Sequence, residues 1–148
     1  MEEYISDAPL NFKLEEAIGF HVNRTAFLMS EEISSRINTL GYALSPQDFA
    51  ILYHLLEKGS MTQVEIAVLM SRDKTTITRR MDALAKKSFV ERNVDPHDRR
   101  CFRIAITAKG KQTMQEIIPL VRDFQQEVLS DIPDNEKEAT IKTLKHMT

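Results

Sequence analysis

Thr62-Gln63-Val64-Glu65-Ile66-Ala67, then Ser71-Arg72-Asp73-Lys74-Thr75-Thr76-Ile77-Thr78-Arg79-Arg80-Met81, then Phe89-Val90-Glu91-Arg92-Asn93-Val94-Asp95-Pro96-His97-Asp98-Arg99-Arg100-Cys101-Phe102-Arg103-Ile104-Ala105-Ile106 decide how this chain folds. Thr62 and Glu65 have the spacing of a capping box, in which the threonine and an acid three residues on satisfy each other's backbone donors. The short helix they open turns Ile66, Ala67 and Met70 inward. Asp73, or Ser71 before it, caps a second helix whose core residues are Ile77, Met81 and Leu84. Its outer face then carries Thr75, Thr76, Thr78 and Arg79, followed by Asp82 and Lys86. Three threonines in the opening turns are poor helix formers. Their hydroxyls and methyls suit base edges in a major groove, where arginine is the commonest reader of guanine.

Two strands follow, over 89–94 and 101–106. Phe102, Ile104 and Ile106 alternate with Cys101, Arg103 and Ala105, as a half-buried hairpin requires. The turn between them carries Arg99 and Arg100 at its tip. A basic hairpin directly after an exposed polar helix reads as the wing of a winged helix-turn-helix, and wing arginines suit the narrow minor groove. Asp95, His97 and Asp98 lie in a tight, cation-flanked turn with no further ligand group nearby, so no metal site is expected. Asp98 is expected instead to orient an arginine of the recognition helix.

Charge supports this reading. Of 148 residues, the stretch 71–111 holds twelve cations and five anions, a net +7, while the rest holds eight cations and seventeen anions, a net −9. Such segregation presents one basic face, and a phosphate backbone is the natural partner for it. A single cysteine, Cys101, rules out an internal disulfide. No apolar run approaches the ~20 residues of a membrane span, and Met1-Glu2-Glu3 does not open a signal peptide. A cytoplasmic location is the expectation. The enzyme class is disfavoured, because there is no Gly-rich phosphate loop, nucleophile elbow or paired-histidine motif. His21, His54, His97 and His146 fall on different elements, and neither a catalytic set nor a cofactor is expected.

Outward from the centre, residues 1–10 lack periodicity and are expected to form an N-terminal arm, with a single domain over 11–148. A long helix is expected over 11–40, with Leu14, Ile18, Val22, Leu28 (or Met29), Ile33 and Ile37 on one line and Phe12, Phe20 and Phe27 on another. Large apolar residues at more than one angle predict burial on two sides, and Gly41 stands where a C-cap glycine belongs. Ser45-Pro46-Gln47-Asp48 starts a second helix. Its buried stripe is expected to be Phe49, Leu52, Tyr53 and Leu56, and it stops near Lys58-Gly59. A fifth helix runs from Thr107 to about Leu129 with Met114, Ile117, Ile118, Val121, Phe124 (or Gln125) and Val128 inward and a bend at Pro119. A last helix opens at Pro133 and carries Ile141, Leu144 and Met147. These terminal helices, 11–40 and 107–148, expose more apolar stripe than the winged lobe over 45–106 can cover. Dimerisation is the expected use of it, against an intramolecular two-helix hairpin. The fold class is thus mainly α with a small β-wing: a winged helix-turn-helix lobe plus long N- and C-terminal dimerisation helices.

The chain resembles the MarR family of bacterial transcription regulators over nearly its whole length. The most specific residues are Asp98-Arg99-Arg100, similar to the family's Asp-x-Arg wing tip, and Ile106-Thr107-Ala108-Lys109-Gly110, similar to its hydrophobic-Thr-x-x-Gly. Ile106 stands where the family usually has Leu. Asp73 to Arg79 also resembles its recognition helix. The resemblance implies a homodimeric repressor on a pseudo-palindromic operator, released when a small phenolic or lipophilic compound is sensed. It implies that Thr75, Thr76, Thr78 and Arg79 face the major groove, and Ser71, Arg72, Lys74 and Lys86 are further candidate DNA contacts. Arg99 and Arg100 would reach the minor groove with Asp98 behind them, and Ser45, Gln47, Thr62 and Gln63 would offer hydroxyls, amides and helix N-termini to phosphates. Candidate effector contacts are Phe20, His21, Arg24, Phe49 and Tyr53. The peroxide-sensing members' N-terminal cysteine is missing, and Cys101 reads as a small structural residue. The alternative is a winged-helix module that binds protein, or nucleic acid without sequence preference.

Overall fold

The computed structural model describes residues 11–148, so the arm expected over 1–10 lies outside the described residues. The element order is α1 (Ile18–Thr39), α2 (Pro46–Lys58), β1 (Ser60–Thr62), α3 (Gln63–Met70), α4 (Lys74–Lys86), β2 (Val90–Val94), β3 (Phe102–Ile106), α5 (Ala108–Leu129) and α6 (Asp134–Met147). The mainly helical class with a small antiparallel sheet is as expected. The first helix is shorter than expected: residues 11–13 are not helical, a single 3-10 turn spans Leu14–Glu16, and Ala17 is extended before α1 begins. Neither Lys13 nor Ala17 supplies a capping oxygen, so nothing in the sequence marks the true start. At the other end Gly41 has φ +86, and its N–H donates to Asn38 O at 2.9 Å, the left-handed stop that a glycine permits.

Caps fix the lobe's helices. Ser45 Oγ accepts from Asp48 N at 3.1 Å while Asp48 Oδ2 accepts from Ser45 N at 3.0 Å. Thr62 and Glu65 make the same reciprocal pair at 3.2 and 3.0 Å. The buried face of α2 is Ile51, Leu52 and Leu55, whereas Tyr53 and Leu56 are exposed. That corrects the expected stripe: α2 is apolar at too many angles for spacing to choose its phase. Ile77, Met81 and Leu84 of α4 are buried as expected.

The sheet has the order β1-β3-β2, all antiparallel. Met61 opposes Ile104, and Val94 opposes Phe102 at the outer end of the wing. β1 was not expected, since three residues carry no readable alternation. Phe102, at the outer end of its strand, is exposed, while Ile104 and Ile106 are buried. The core runs from these strands through α2, α3 and α4 onto Met114, Ile117, Val121 and Phe124 of α5 and the second half of α1. α5 runs on through Pro119, which lies on its exposed side. Ile33 and Ile37 are the buried residues of α1. Its earlier apolar positions, among them Ile18 and Phe27, are exposed in the single chain, as are Ile141 and Met147 of α6. The expected two-sided burial of the first helix is therefore absent within one chain.

Candidate nucleic-acid interface

Helix α4, the expected recognition helix, is placed by its cap and its buried face. Asp73 Oδ2 accepts from Thr76 N at 3.0 Å, and its other oxygen accepts from the Thr76 hydroxyl. That hydroxyl bond is the main reason the Asp73 carboxyl is held below the usual carboxylate range. With Ile77, Met81 and Leu84 inward, Thr75 and Arg79 are exposed and Thr76 and Thr78 half-buried. The threonines are not equivalent. Thr78 Oγ1 donates to Lys74 O at 2.8 Å and accepts from Gln63 Nε2, which ties the start of α3 to α4. Thr75 keeps its hydroxyl clear of side-chain partners among the described residues. Ser71 ends α3 in the left-handed region, at φ 51.

The wing is braced at its base. Asp95 is buried and accepts from the backbone N–H of His97 at 2.7 Å and of Asp98 at 3.3 Å. Arg103 pairs with it at 3.4 Å and donates to Ser60 Oγ and Ser60 O, each at 3.0 Å, so one guanidinium joins wing and β1. The bond from His97 N is the first cause holding the Asp95 carboxyl below the carboxylate range. Asp98 accepts from Arg100 N at 3.0 Å and Arg100 Nε at 3.2 Å. Its partner is thus the wing's own arginine and not one of the recognition helix, which corrects the expectation. Cys101 Sγ lies 3.6 Å from Asp98, whose charge pushes the thiol above its usual value.

Thr62, Gln63, Lys74 and Arg100 line one hollow between α3, α4 and the wing, together with Val64, Cys101 and Phe102. Ser45 stands apart from it: its hydroxyl accepts from Arg80 Nη1 at 2.9 Å. Gln47 is half-buried on α2, and Lys86 is exposed in the last turn of α4. Among the described residues Arg72, Lys74, Arg79 and Arg99 have no ion pair, whereas Arg36, Arg80, Arg92 and Arg103 all do. Reasoning from sequence missed Arg80 and Arg103 as internal struts. For Arg80 the signal was there, since position 80 falls on the i, i+3, i+4, i+7 line of 77, 81 and 84.

The five effector candidates divide between two helices. Phe20 and His21 pack edge to face at 5.3 Å on α1, and His21 Nε2 bonds to Glu15 O at 2.7 Å. Phe49 and Tyr53 sit 6.3 Å apart on α2, and Arg24 is exposed. The open hollow of about 580 Å³ beside α1 and α2 is lined by other residues, from Glu31 to Asn38 and Tyr42 to Asp48.

Comparison with known proteins agrees with this geometry. The MarR family model matches residues 44–102. An uncharacterized HTH-type transcriptional regulator of Bacillus subtilis, YsmB, is 34% identical over 95 residues. That match covers 64% of this chain and 65% of the relative, a little under two thirds of its length. A mutant MarR of E. coli complexed with operator DNA has the same fold, with TM-score 0.83 at 22% identity, over 94% of this chain and 99% of that one. The M. tuberculosis regulator MOSR in complex with DNA gives TM-score 0.75 at 26% identity, over 89% and 96%. The MarR family model thus lies on the winged lobe of this chain, and the fold seen in MarR proteins extends along almost all of it.

Proposed function

We propose that this chain is a homodimeric, sequence-specific DNA-binding repressor of a pseudo-palindromic operator. The observation that carries it is that Arg72, Lys74, Arg79 and Arg99, on the approach to α4, along α4 and at the wing tip, have no ion pair among the described residues, and that the Thr75 hydroxyl has no side-chain partner among them. Cations left unpaired on one face are available to phosphates and base edges, and release of counterions makes such contacts favourable. Arg79 and Thr75 read the major groove, and Arg99 with Arg100 enters the minor groove. Lys74, Thr62 and Gln63 border a hollow that receives backbone phosphate. Two chains are needed because Ile18, Phe27, Ile141 and Met147 are exposed on the terminal helices, and a two-fold partner covers such a surface on both copies at once. The regulatory half of the reading is a small phenolic or lipophilic effector held near Phe20, His21, Arg24, Phe49 and Tyr53.

Selection of the purified protein against a random duplex pool tests this. A two-fold pseudo-palindrome with half-sites about one helical turn apart is the expected product. Binding only at low salt with no enriched sequence overturns it and leaves the non-specific module. For the effector, small phenolic and lipophilic compounds are expected to raise the melting temperature and weaken binding to the selected duplex. A panel that changes neither overturns that half alone.

A further inference from the structure

Arg80 of α4 and Lys87 at its C-cap reach back to the corner between α1 and α2. Arg80 Nη1 donates to Ser45 Oγ at 2.9 Å and to Asp48 Oδ1 at 3.1 Å, and Lys87 Nζ, just past the helix end, donates to Ala43 O at 2.7 Å. The corner is itself anchored, because Tyr42 OH donates to Glu116 Oε2 of α5 at 2.5 Å and the Tyr42 ring meets Phe89 edge-on at 6.3 Å. α2 does not need Arg80 for its cap. The reciprocal Ser45–Asp48 bonds are complete through Asp48 Oδ2, which leaves Oδ1 to the guanidinium. The pair is largely withdrawn from water, with side chains 29% and 14% exposed. A partly desolvated ion pair is sensitive to geometry, so it resists rolling or sliding of one helix on the other. Arg80 follows Arg79 directly, one turned into the body and the other outward, so fixing the first fixes the direction of the second.

We propose that Arg80 is a positioning residue for operator recognition, clamping α4 to the α1–α2 corner so that Thr75 and Arg79 meet the bases in register. The proposal rests on the DNA-binding reading. Base readout tolerates little misplacement, because bidentate contacts require fixed direction as well as distance, whereas phosphate attraction is far more forgiving.

The test uses the full chain on its selected operator and on an unrelated duplex of equal length, with melting temperature and sedimentation measured in parallel. Arg80→Met and Asp48→Asn are each expected to lower the operator preference about tenfold, the size of one lost base contact. Binding to the unrelated duplex at low salt and the slope of affinity against salt stay as in the wild type. The double variant is expected to be no worse than the worse single one, and Arg80→Lys to restore part of the preference. Loss in Arg80→Met with none in Asp48→Asn, or a salt slope reduced by about one, would mean that Arg80 touches DNA itself and would overturn the clamp. Unchanged preference in both variants also overturns it. If Arg80→Met fails to fold, Asp48→Asn and Lys87→Ala carry the test. A wild type that prefers no duplex defeats the DNA-binding reading, and the inference with it, before any variant is compared.

Discussion

Gly110 follows the N-cap Thr107 by three residues, and the first turn of α5 lies directly on the strands between them. Thr107 Oγ1 donates to Ser88 O at 2.6 Å and accepts from Gly110 N at 3.0 Å. A Cβ at position 110 would collide with the Phe89 carbonyl oxygen and lie 2.6 Å from Ile106 Cγ1. The hydrophobic-Thr-x-x-Gly pattern is therefore a packing device: the threonine caps the helix while the glycine admits the strand. Gly110→Ala gains about 1 kcal/mol of helix propensity but overpacks against backbone at about 1–3 kcal/mol. A lower melting temperature is expected, and an unchanged or raised one would show that the strand gives way. Cys101 is read at the same scale. The Asp98 charge disfavours its thiolate, so its titration midpoint, followed with a disulfide reagent, is expected above the ordinary value of about 8.5. Asp98→Asn should bring it down. A midpoint at or below the ordinary value would reopen a redox role for this thiol.

The wing is a small element held by one buried carboxylate. The Asp95 carboxyl titrates lower when folded than when free, so it stabilises the wing above the ordinary aspartate value of about 3.9. That contribution is lost as pH falls through the lowered folded value. Asp95→Asn is expected to be less stable than wild type at neutral pH, with the gap closing below the carboxylate range. A gap independent of pH would contradict the Asp95–Arg103 brace. The elements that were readable in the sequence are those with local signals. Ser45-Pro46 and Thr62 to Glu65 cap helices within four residues of themselves, and Ile77, Met81 and Leu84 declare one face by spacing alone. The misread features depend on distant partners. Arg80 meets Asp48 at a separation of 32 residues and Arg103 meets Ser60 at 43, and nothing in a sequence window ranks those pairs. Likewise Tyr53 and Leu56 were placed inward because Ile51 and Leu55 offer an equally good stripe one position over, and only packing against α5 and the sheet decides.

For the whole molecule, Ile18 and Phe27 of α1 and Ile141 and Met147 of α6 are exposed apolar positions, while the stretch 71–111 is basic. Ile18→Asp and Ile141→Asp are expected to shift the sedimenting species from two chains to one at micromolar concentration, since each places a charge on an apolar surface that the proposed second chain would cover. Two-chain sedimentation in both variants would place the interface elsewhere. The central claim is that the wing tip binds DNA through Arg99 and through Arg100, which Asp98 holds, while Arg36, Arg80, Arg92 and Arg103 are paired within the body and hold the fold. The most direct measurement is the affinity of Arg99→Ala/Arg100→Ala for the selected operator as salt is raised, with Arg36→Ala alongside; Arg36 pairs with Glu127 at 2.7 Å and lies over Phe124. The wing variant is expected to bind at least about tenfold more weakly, with a shallower salt slope, while its melting temperature and dimer stay unchanged. Arg36→Ala is expected to lose stability with the salt slope intact. Wild-type affinity in the wing variant would contradict the claim.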